Sequence, residues 1–354
     1  MLSSVLPSSS ASALPSAHSL QTETRGQSEP TAYRVRELAP PHPGYGFRPT
    51  AINEQGQIIG NRIDPLRFEG ASVSATGQIL PEITLTNDAP TRAERALPYA
   101  ALSSNGLVAG TVGTPAGLRG AWASHLGAFG RELWPDNLSF AQGINAAGTV
   151  VGKMLLTATP LLVARAFLVT ADGQPTHFAP PDGGLPDAID INDAGTVLLN
   201  VTPLSIGAES PRAWLWREGN FIALPVPFGA TSTAIALNGK GHVVGYIENE
   251  FGVRRPTLWI DQEPLDLETT MTADFIPTCI NDDLMIGGSA INLCNQRRAC
   301  VWSPREGLQF LQEHETARRE TQLETVVDLT DSGRALAMLT VDNQPRGFLL
   351  EPSA

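Results

Sequence analysis

The sequence predicts an all-β fold: a seven-bladed β-propeller of four-stranded antiparallel blades, with the ring closed by an N-terminal strand. Three observations carry that expectation. The chain of 354 residues is rich in turn formers, with 33 Gly and 28 Pro, and only 17% of it is charged, against about 25% in an average globular chain. A five-residue motif recurs seven times, at intervals of 42 to 50 residues. A second motif, headed by Arg and ending on an aromatic residue, lies between successive copies.

The first motif spans Ile52–Gly56, Leu102–Gly106, Ile144–Gly148, Ile191–Gly195, Leu237–Gly241, Ile280–Leu284 and Leu329–Gly333. An apolar residue is followed by Asn53, Ser103, Asn145, Asn192, Asn238, Asn281 or Thr330, then by two variable positions. Gly comes next in every copy but the sixth. The polar side chain starts a turn by bonding backbone two residues on, and Gly supplies the positive φ that closes a short hairpin. Apolar runs such as Ile58-Ile59-Gly60 and Val150-Val151-Gly152 then read as buried strands. The glycines at 60, 110, 152 and 245 suit a crowded inner strand with no room for a side chain.

The second motif is Arg119-Gly120-Ala121-Trp122, Arg165-Ala166-Phe167 and Arg212-Ala213-Trp214. It continues at Arg255 to Trp259, Arg298 to Trp302 and Arg346-Gly347-Phe348. Most copies lead into a further turn and strand, as in Glu218 to Leu224. Each unit therefore holds four short strands, the content of one propeller blade. The recurring arginines are expected to bond carbonyls or carboxylates between blades.

Ile-Asn-x-x-Gly followed by Val-Val-Gly and an aromatic motif resembles the bacterial HAF-repeat family, named for a His-Ala-Phe triplet. Arg165 and Arg212 stand where that triplet has His. The resemblance implies the propeller fold and brings no catalytic motif with it.

The chain ends complete the count. Tyr33 to Leu38 matches the fourth strand of a unit, and the last unit stops at its third strand, Gly347 to Leu350. Pairing the two fragments makes one whole blade and hides both open edges, which predicts a monomer. Residues 31–354 read as this one domain, and residues 1–30, with Ser8-Ser9-Ser10 and little apolar content, as a disordered leader or linker. Met1 to Pro30 has no sustained apolar core of a Sec signal. Localisation stays open between the cytoplasm and export by a non-Sec route.

Several function classes drop out. A net charge of −12 offers no footprint for a nucleic-acid backbone, and no apolar run is long enough to span a membrane as a helix. There is no G-x-S-x-G elbow and no P-loop, and Arg318 stands where a zinc helix begun at His314-Glu315 needs its second His. No two of the six histidines share a metal-ligand spacing. Asp190, Asn192 and Asp193 form an oxygen-rich stretch, but the same positions recur as ordinary turn residues. No metal and no cofactor are expected. Cys279, Cys294 and Cys300 read as reduced thiols, with a bridge between Cys294 and Cys300 as the alternative. The sequons at Asn137 and Asn200 are expected to be coincidental.

Function is then sought on the loops that a rigid scaffold carries. The ligand-binding candidates are Arg48, Arg92, Arg95, Tyr99 and Trp134, with Asp136 and Asp274 as partners for polar groups. Aromatic and Arg side chains together favour recognition, and the guanidinium fork suits carboxylate- or sulfate-bearing ligands. The expected function is a binding scaffold for a protein or carbohydrate. The alternative is a hydrolase or lyase with carboxylate and Arg chemistry at the channel mouth. Asp64, Asp88, Glu94, Asp136, Asp187 and Asp274 would supply its carboxylates.

Overall fold

A computed structural model describes residues 33–38, 46–64, 67–74, 99–114, 117–124, 131–132, 138–158, 161–173, 175–181, 183–204, 211–267, 274–292, 294–311 and 322–353. All regular structure among them is β. After β1 (Tyr33–Glu37), the first sheet comprises β2 (Gly46–Ile52), β3 (Gln57–Asp64) and β4 (Arg67–Ser74). The second holds β5 (Tyr99–Leu102), β6 (Leu107–Thr114), β7 (Gly117–Ser124) and β8 (Arg131–Glu132). The third holds β9 (Leu138–Ile144), β10 (Val150–Ala158), β11 (Leu161–Val169) and β12 (Pro175–Phe178). The fourth holds β13 (Leu185–Ile191), β14 (Val197–Thr202), β15 (Arg212–Arg217) and β16 (Asn220–Ala223). The fifth holds β17 (Thr231–Leu237), β18 (Val243–Glu248), β19 (Arg254–Ile260) and β20 (Glu263–Asp266). The sixth holds β21 (Ile276–Ile280), β22 (Ile286–Ile291), β23 (Arg297–Ser303) and β24 (Gly307–Phe310). The seventh joins β25 (Thr325–Leu329), β26 (Ala335–Val341) and β27 (Gln344–Pro352) to β1.

Strands within every sheet pair antiparallel in chain order, except that β1 takes the fourth place of the last sheet. Its register runs from Tyr33↔Pro352 to Glu37↔Phe348, as the split repeat anticipates. The first strands of successive sheets touch one another in series, and β25 touches β2. Apolar side chains fill the seams between sheets. Trp259 packs with Leu198, Leu215 and Val243 between the fourth and fifth, and Trp302 with Val244, Phe275 and Ile286 between the fifth and sixth. Leu336 and Leu349 meet Phe47 and Ile58 between the seventh and first.

The motif forms the turn between the first and second strands of each sheet; the expected bond two residues on is made by Asn281, which accepts from Asp283 N at 3.1 Å, but the bond the Asn copies share reaches further. Asn192 Oδ1 accepts from the amide of Thr196, four residues on, at 3.0 Å. Asn53, Asn145, Asn238 and Asn281 accept in the same way from Gln57, Thr149, His242 and Met285. The amide end is then free to reach the next sheet. Nδ2 of Asn53, Asn145, Asn192, Asn238 and Asn281 donates to the carbonyls of Ser103, Asn192, Asn238, Asn281 and Thr330 at 3.0–3.3 Å. Ser103 and Thr330 have no amide, so Asn105 donates to Ala146 O and Arg334 to Glu54 O. Every seam is thereby bridged, including the one between the last and first sheets. Leu284, in the copy without Gly, still adopts φ 61°: the turn imposes the left-handed conformation even on a branched side chain.

Each first strand carries a β-bulge just before its motif. The bulge brings a first-strand carbonyl over the second strand. A Cβ added at Gly245 would overlap Thr233 O, and one at Gly152 would overlap Phe140 O. That is the reason for the inner glycines. Two of the recurring arginines are a correction: Arg255 pairs with Asp266 at 2.9 Å and Arg346 with Glu37 at 3.6 Å, within a sheet and not between sheets.

Candidate functional site

Antiparallel order gives the sheets two distinct edges. The Asn-motif turns lie on one, the turn face. The connections between second and third strands, and from the last strand to the next sheet, lie on the other, the loop face.

The turn face is committed to holding the sheets together. In a second set of bonds the side chain reaches back, accepting from a backbone N–H of the preceding sheet. Asp193 accepts from Ala146 N at 2.7 Å, Asp282 from Lys240 N at 3.2 Å, Asp331 from Asp282 N at 2.7 Å, and Glu54 from Asp331 N. Ser104 Oγ reaches Asp193 at 2.9 Å across two seams, so these turns crowd the axis. Burial holds the His242 imidazole below its ordinary pKa, and its Nδ1 lies 3.2 Å from Asn238 Nδ2. It is part of this scaffold.

On the loop face, the position after the inner glycine of the second strand faces the next sheet. Asn61 grips the backbone of Tyr99, accepting from its N–H at 2.8 Å and donating to its carbonyl at 3.1 Å. Asn200 grips Ala234 in the same two-bond manner, at 2.8 and 2.9 Å. The second sequon is thus built on a side chain already engaged in a seam. Lys153 pairs with Asp187 at 2.8 Å, and Gln142 donates to the same carboxylate.

Tyr246 breaks this pattern. It occupies the equivalent place on β18, but Pro277 stands where the sheets facing Asn61 and Asn200 offer the backbone N–H of Tyr99 and Ala234. Its hydroxyl makes no hydrogen bond among the described residues. Burial pushes the phenol up to about 12, assisted by Asp274 and opposed by Arg254 and Arg297. Arg254 Nε meets Glu248 at 2.5 Å, and Arg297 Nη1 donates to Ser289 Oγ at 2.9 Å. A half-buried phenol thus sits among two guanidinium groups and two carboxylates.

The exposed large apolar side chains among the described residues share this face. Phe228 lies in the connection from β16 to β17, Phe251 and Val253 in the β18–β19 hairpin, Leu204 after β14, and Leu138 at the start of β9. Phe228 and Phe251 are fully or almost fully accessible, at 107% and 81%. Four of the five project from the fourth and fifth sheets.

Of the sequence-predicted site residues, Arg48 is exposed on β2 and Asp274 is exposed just before β21. Their sheets are two seams apart, so they do not form one cluster. Tyr99 is buried, at 2% exposure, and its backbone is held by Asn61; it packs in the interior and not at the rim. Arg92, Arg95, Trp134 and Asp136 lie outside the described residues. Tyr246, Phe228, Arg254 and Arg297 were missed. For Tyr246 the signal lay in the repeat itself: a tyrosine follows Val-Val-Gly where the aligned copies have Asn61, Thr111, Lys153, Asn200, Ser289 and Met338. All three cysteines are free, with Cys279 and Cys300 buried and Cys294 exposed. Among the described residues no group of His, Cys, Asp and Glu has the makings of a metal site, and no helix is long and apolar enough to cross a membrane.

No family model and no curated protein matches this chain. Solved structures do. An oligogalacturonate lyase from Vibrio parahaemolyticus aligns over 90% of this chain and 97% of its own, at 11% identity and a TM-score of 0.60. The β-propeller domain of the Trilobed protease from Pyrococcus furiosus aligns over 87% and 94%, at 8% identity and 0.58. The fold is that of a β-propeller. An acylaminoacyl peptidase from Pyrococcus horikoshii also matches, at 9% identity and 0.58, and there the chain spans about half of the larger enzyme, 51% of its length. At such identities the likeness concerns architecture alone, and propellers host binding and catalysis alike.

Proposed function

We propose that this propeller is a closed seven-bladed ring that binds a protein or carbohydrate ligand with its loop face. One observation carries the reading: the exposed Phe228, Phe251, Val253 and Leu204 cluster on the loops of the fourth and fifth blades, while the turn face is committed to seam bonds. Exposed aromatic anchors beside Arg are the residues that binding surfaces favour. Ring closure is supported by the pairing of β1 with β27 and the contact of β25 with β2. The Ile-Asn-x-x-Gly repeat supports a place beside the HAF-repeat proteins. A second reading, hydrolase or lyase chemistry at the mouth, is favoured by Tyr246 standing among Arg254, Arg297 and Asp274.

The test compares the wild-type chain with Phe228→Ala/Phe251→Ala on an immobilised panel of oligosaccharides and peptides. The reading expects a retained ligand that the double variant releases, with an unchanged melting temperature, because neither ring is packed. Equal retention by both proteins refutes it. Turnover of a panel sugar or peptide that is lost in Tyr246→Phe turns the case to the second reading.

A further inference from the structure

Asn followed by Gly occurs twice in the chain, at Asn105-Gly106 and Asn238-Gly239, and both pairs lie in motif turns. Such a pair is reactive because glycine carries no side chain. Its backbone nitrogen can therefore approach the carboxamide carbon of the Asn before it. The two pairs stand in opposite surroundings.

Asn238 is the second residue of its motif and is 4% exposed. Its Oδ1 accepts from His242 N at 2.8 Å, and its Nδ2 donates to Asn281 O at 3.0 Å. Water and the glycine nitrogen reach that carboxamide only when the seam between the fifth and sixth sheets opens. Asn105 is the fourth residue of its motif, where the other copies have Gln55, Ala147, Ala194, Lys240, Asp283 and Ser332. Both Asn105 and Ser104 before it are exposed. Asn105 nevertheless bridges a seam, because Ser103 has no amide: its Nδ2 donates to Ala146 O of the third sheet at 2.8 Å. The other bridging Asn side chains, at 53, 145, 192, 238 and 281, are all buried.

The turn also prepares the Asn105 carbonyl for attack. Ser103 Oγ lies 2.7 Å from Asn105 Oδ1, nearer than its 3.2 Å to Leu107 O, and is fixed by accepting from Leu107 N at 2.8 Å. A hydroxyl in that place stabilises the negative charge that Oδ1 acquires when its carbon is attacked. The opposing feature is the bond from Gly106 N to Ser103 O at 3.1 Å. Freeing Gly106 N and Asn105 Nδ2 breaks two hydrogen bonds at the tip of an exposed turn. Local openings of that kind lie at the low end of a protein's range.

We propose that Asn105 is a site of spontaneous covalent modification, whose conversion to aspartate and isoaspartate removes the amide that bridges the second and third blades. Gly106 N loses its proton to hydroxide and forms a bond to Asn105 Cγ. The Cγ–Nδ2 bond breaks, and ammonia leaves. Water then opens the resulting succinimide at either carbonyl, giving aspartate or, with the main chain rerouted through the side chain, isoaspartate. Either product carries a carboxylate in place of the donor, so Ala146 O loses its partner. The new charge also faces Asp193 across Ala146, whose N–H Asp193 accepts at 2.7 Å. The reaction needs no ligand at the loop face.

The experiment incubates full-length protein at pH 8, folded and in guanidinium, and follows Asn105 and Asn238 by peptide mapping that separates aspartate from isoaspartate. Unfolded, both sites are expected to convert at similar rates, since both precede Gly. Folded, Asn105 is expected to convert within about tenfold of its unfolded rate, while Asn238 stays intact. In Asn105→Asp, which mimics one product, the 144–149 turn is expected to exchange its amide hydrogens faster than in the wild type. Asn105 protected as fully as Asn238 in the folded chain overturns the proposal. Exchange in Asn105→Asp equal to wild type overturns the loosening of the seam. The mapping uses the wild-type chain alone, so it decides even if the variant does not fold.

Discussion

Replacing Asn192 tests whether the seam-bridging amides hold neighbouring blades together. Its Oδ1 accepts from Thr196 N at 3.0 Å, and its Nδ2 donates to Asn238 O at 3.1 Å and Gly239 O at 3.3 Å. Asn192, Thr196 and Asn238 are all buried, so water does not replace a lost partner. Asn192→Ala removes two principal hydrogen bonds of about 1 kcal/mol each and leaves an amide and a carbonyl unsatisfied, for a total of about 2–4 kcal/mol. Asn192→Asp keeps the shape and the acceptor but turns an oxygen towards those two carbonyls. The new carboxyl is held up by burial, so its charged form costs most above pH 7 and its protonated form, which can donate, costs least near pH 4. Urea unfolding of both variants, each referred to wild type at the same pH, reads these differences, with exposed Asn220→Ala as control. A loss under about 1 kcal/mol in Asn192→Ala, or a pH-independent Asn192→Asp, refutes the bridging role.

Two further perturbations probe the frame. Gly245→Ala forces a methyl group into Thr233 O and is expected to destabilise by about 2 kcal/mol or more; a urea midpoint within error of wild type contradicts the bulge account of the inner glycines. Deleting residues 1–30 is expected to leave melting and solubility unchanged. Deleting 1–40 removes the β1 ladder with the buried Tyr33 and Leu38, costs about 3–6 kcal/mol and bares an edge that aggregates. Equal behaviour of the two truncations in melting and light scattering refutes closure by β1.

Much of the fold was legible because a propeller repeats its local rules. Asn at the turn and Gly where the bulge leaves no space answer to backbone of the same hairpin, and an aromatic residue on the third strand fills the same seam in successive blades, so a period of about 46 residues exposes them. Even the split blade could be read, since a lone fourth strand and a unit lacking one are complementary patterns. The site was less legible. Tyr99 looked like a loop aromatic, yet Asn61, 38 residues earlier, fastens its backbone at the start of a strand and its ring lies inside. Asp190 read as turn chemistry because Asn192 and Asp193 follow within three residues, yet its carboxylate accepts from Leu237 N of the next blade at 3.1 Å.

The sequence by itself determined the all-β class, the count of seven units, the place of each turn and the meeting of the chain ends, all consequences of short-range sterics and hydrogen bonding repeated along the chain. Only the tertiary structure decided which equivalent positions meet. It turned the amide of each motif Asn towards the next blade, left Tyr246 without the partner that Asn61 and Asn200 have, and bound the Asp190 carboxylate to Leu237 N of the next blade although 47 residues separate them in the chain. The reason is geometric: a repeat specifies what each blade presents, whereas the charge and solvent that a side chain meets depend on curvature that brings distant blades around one axis.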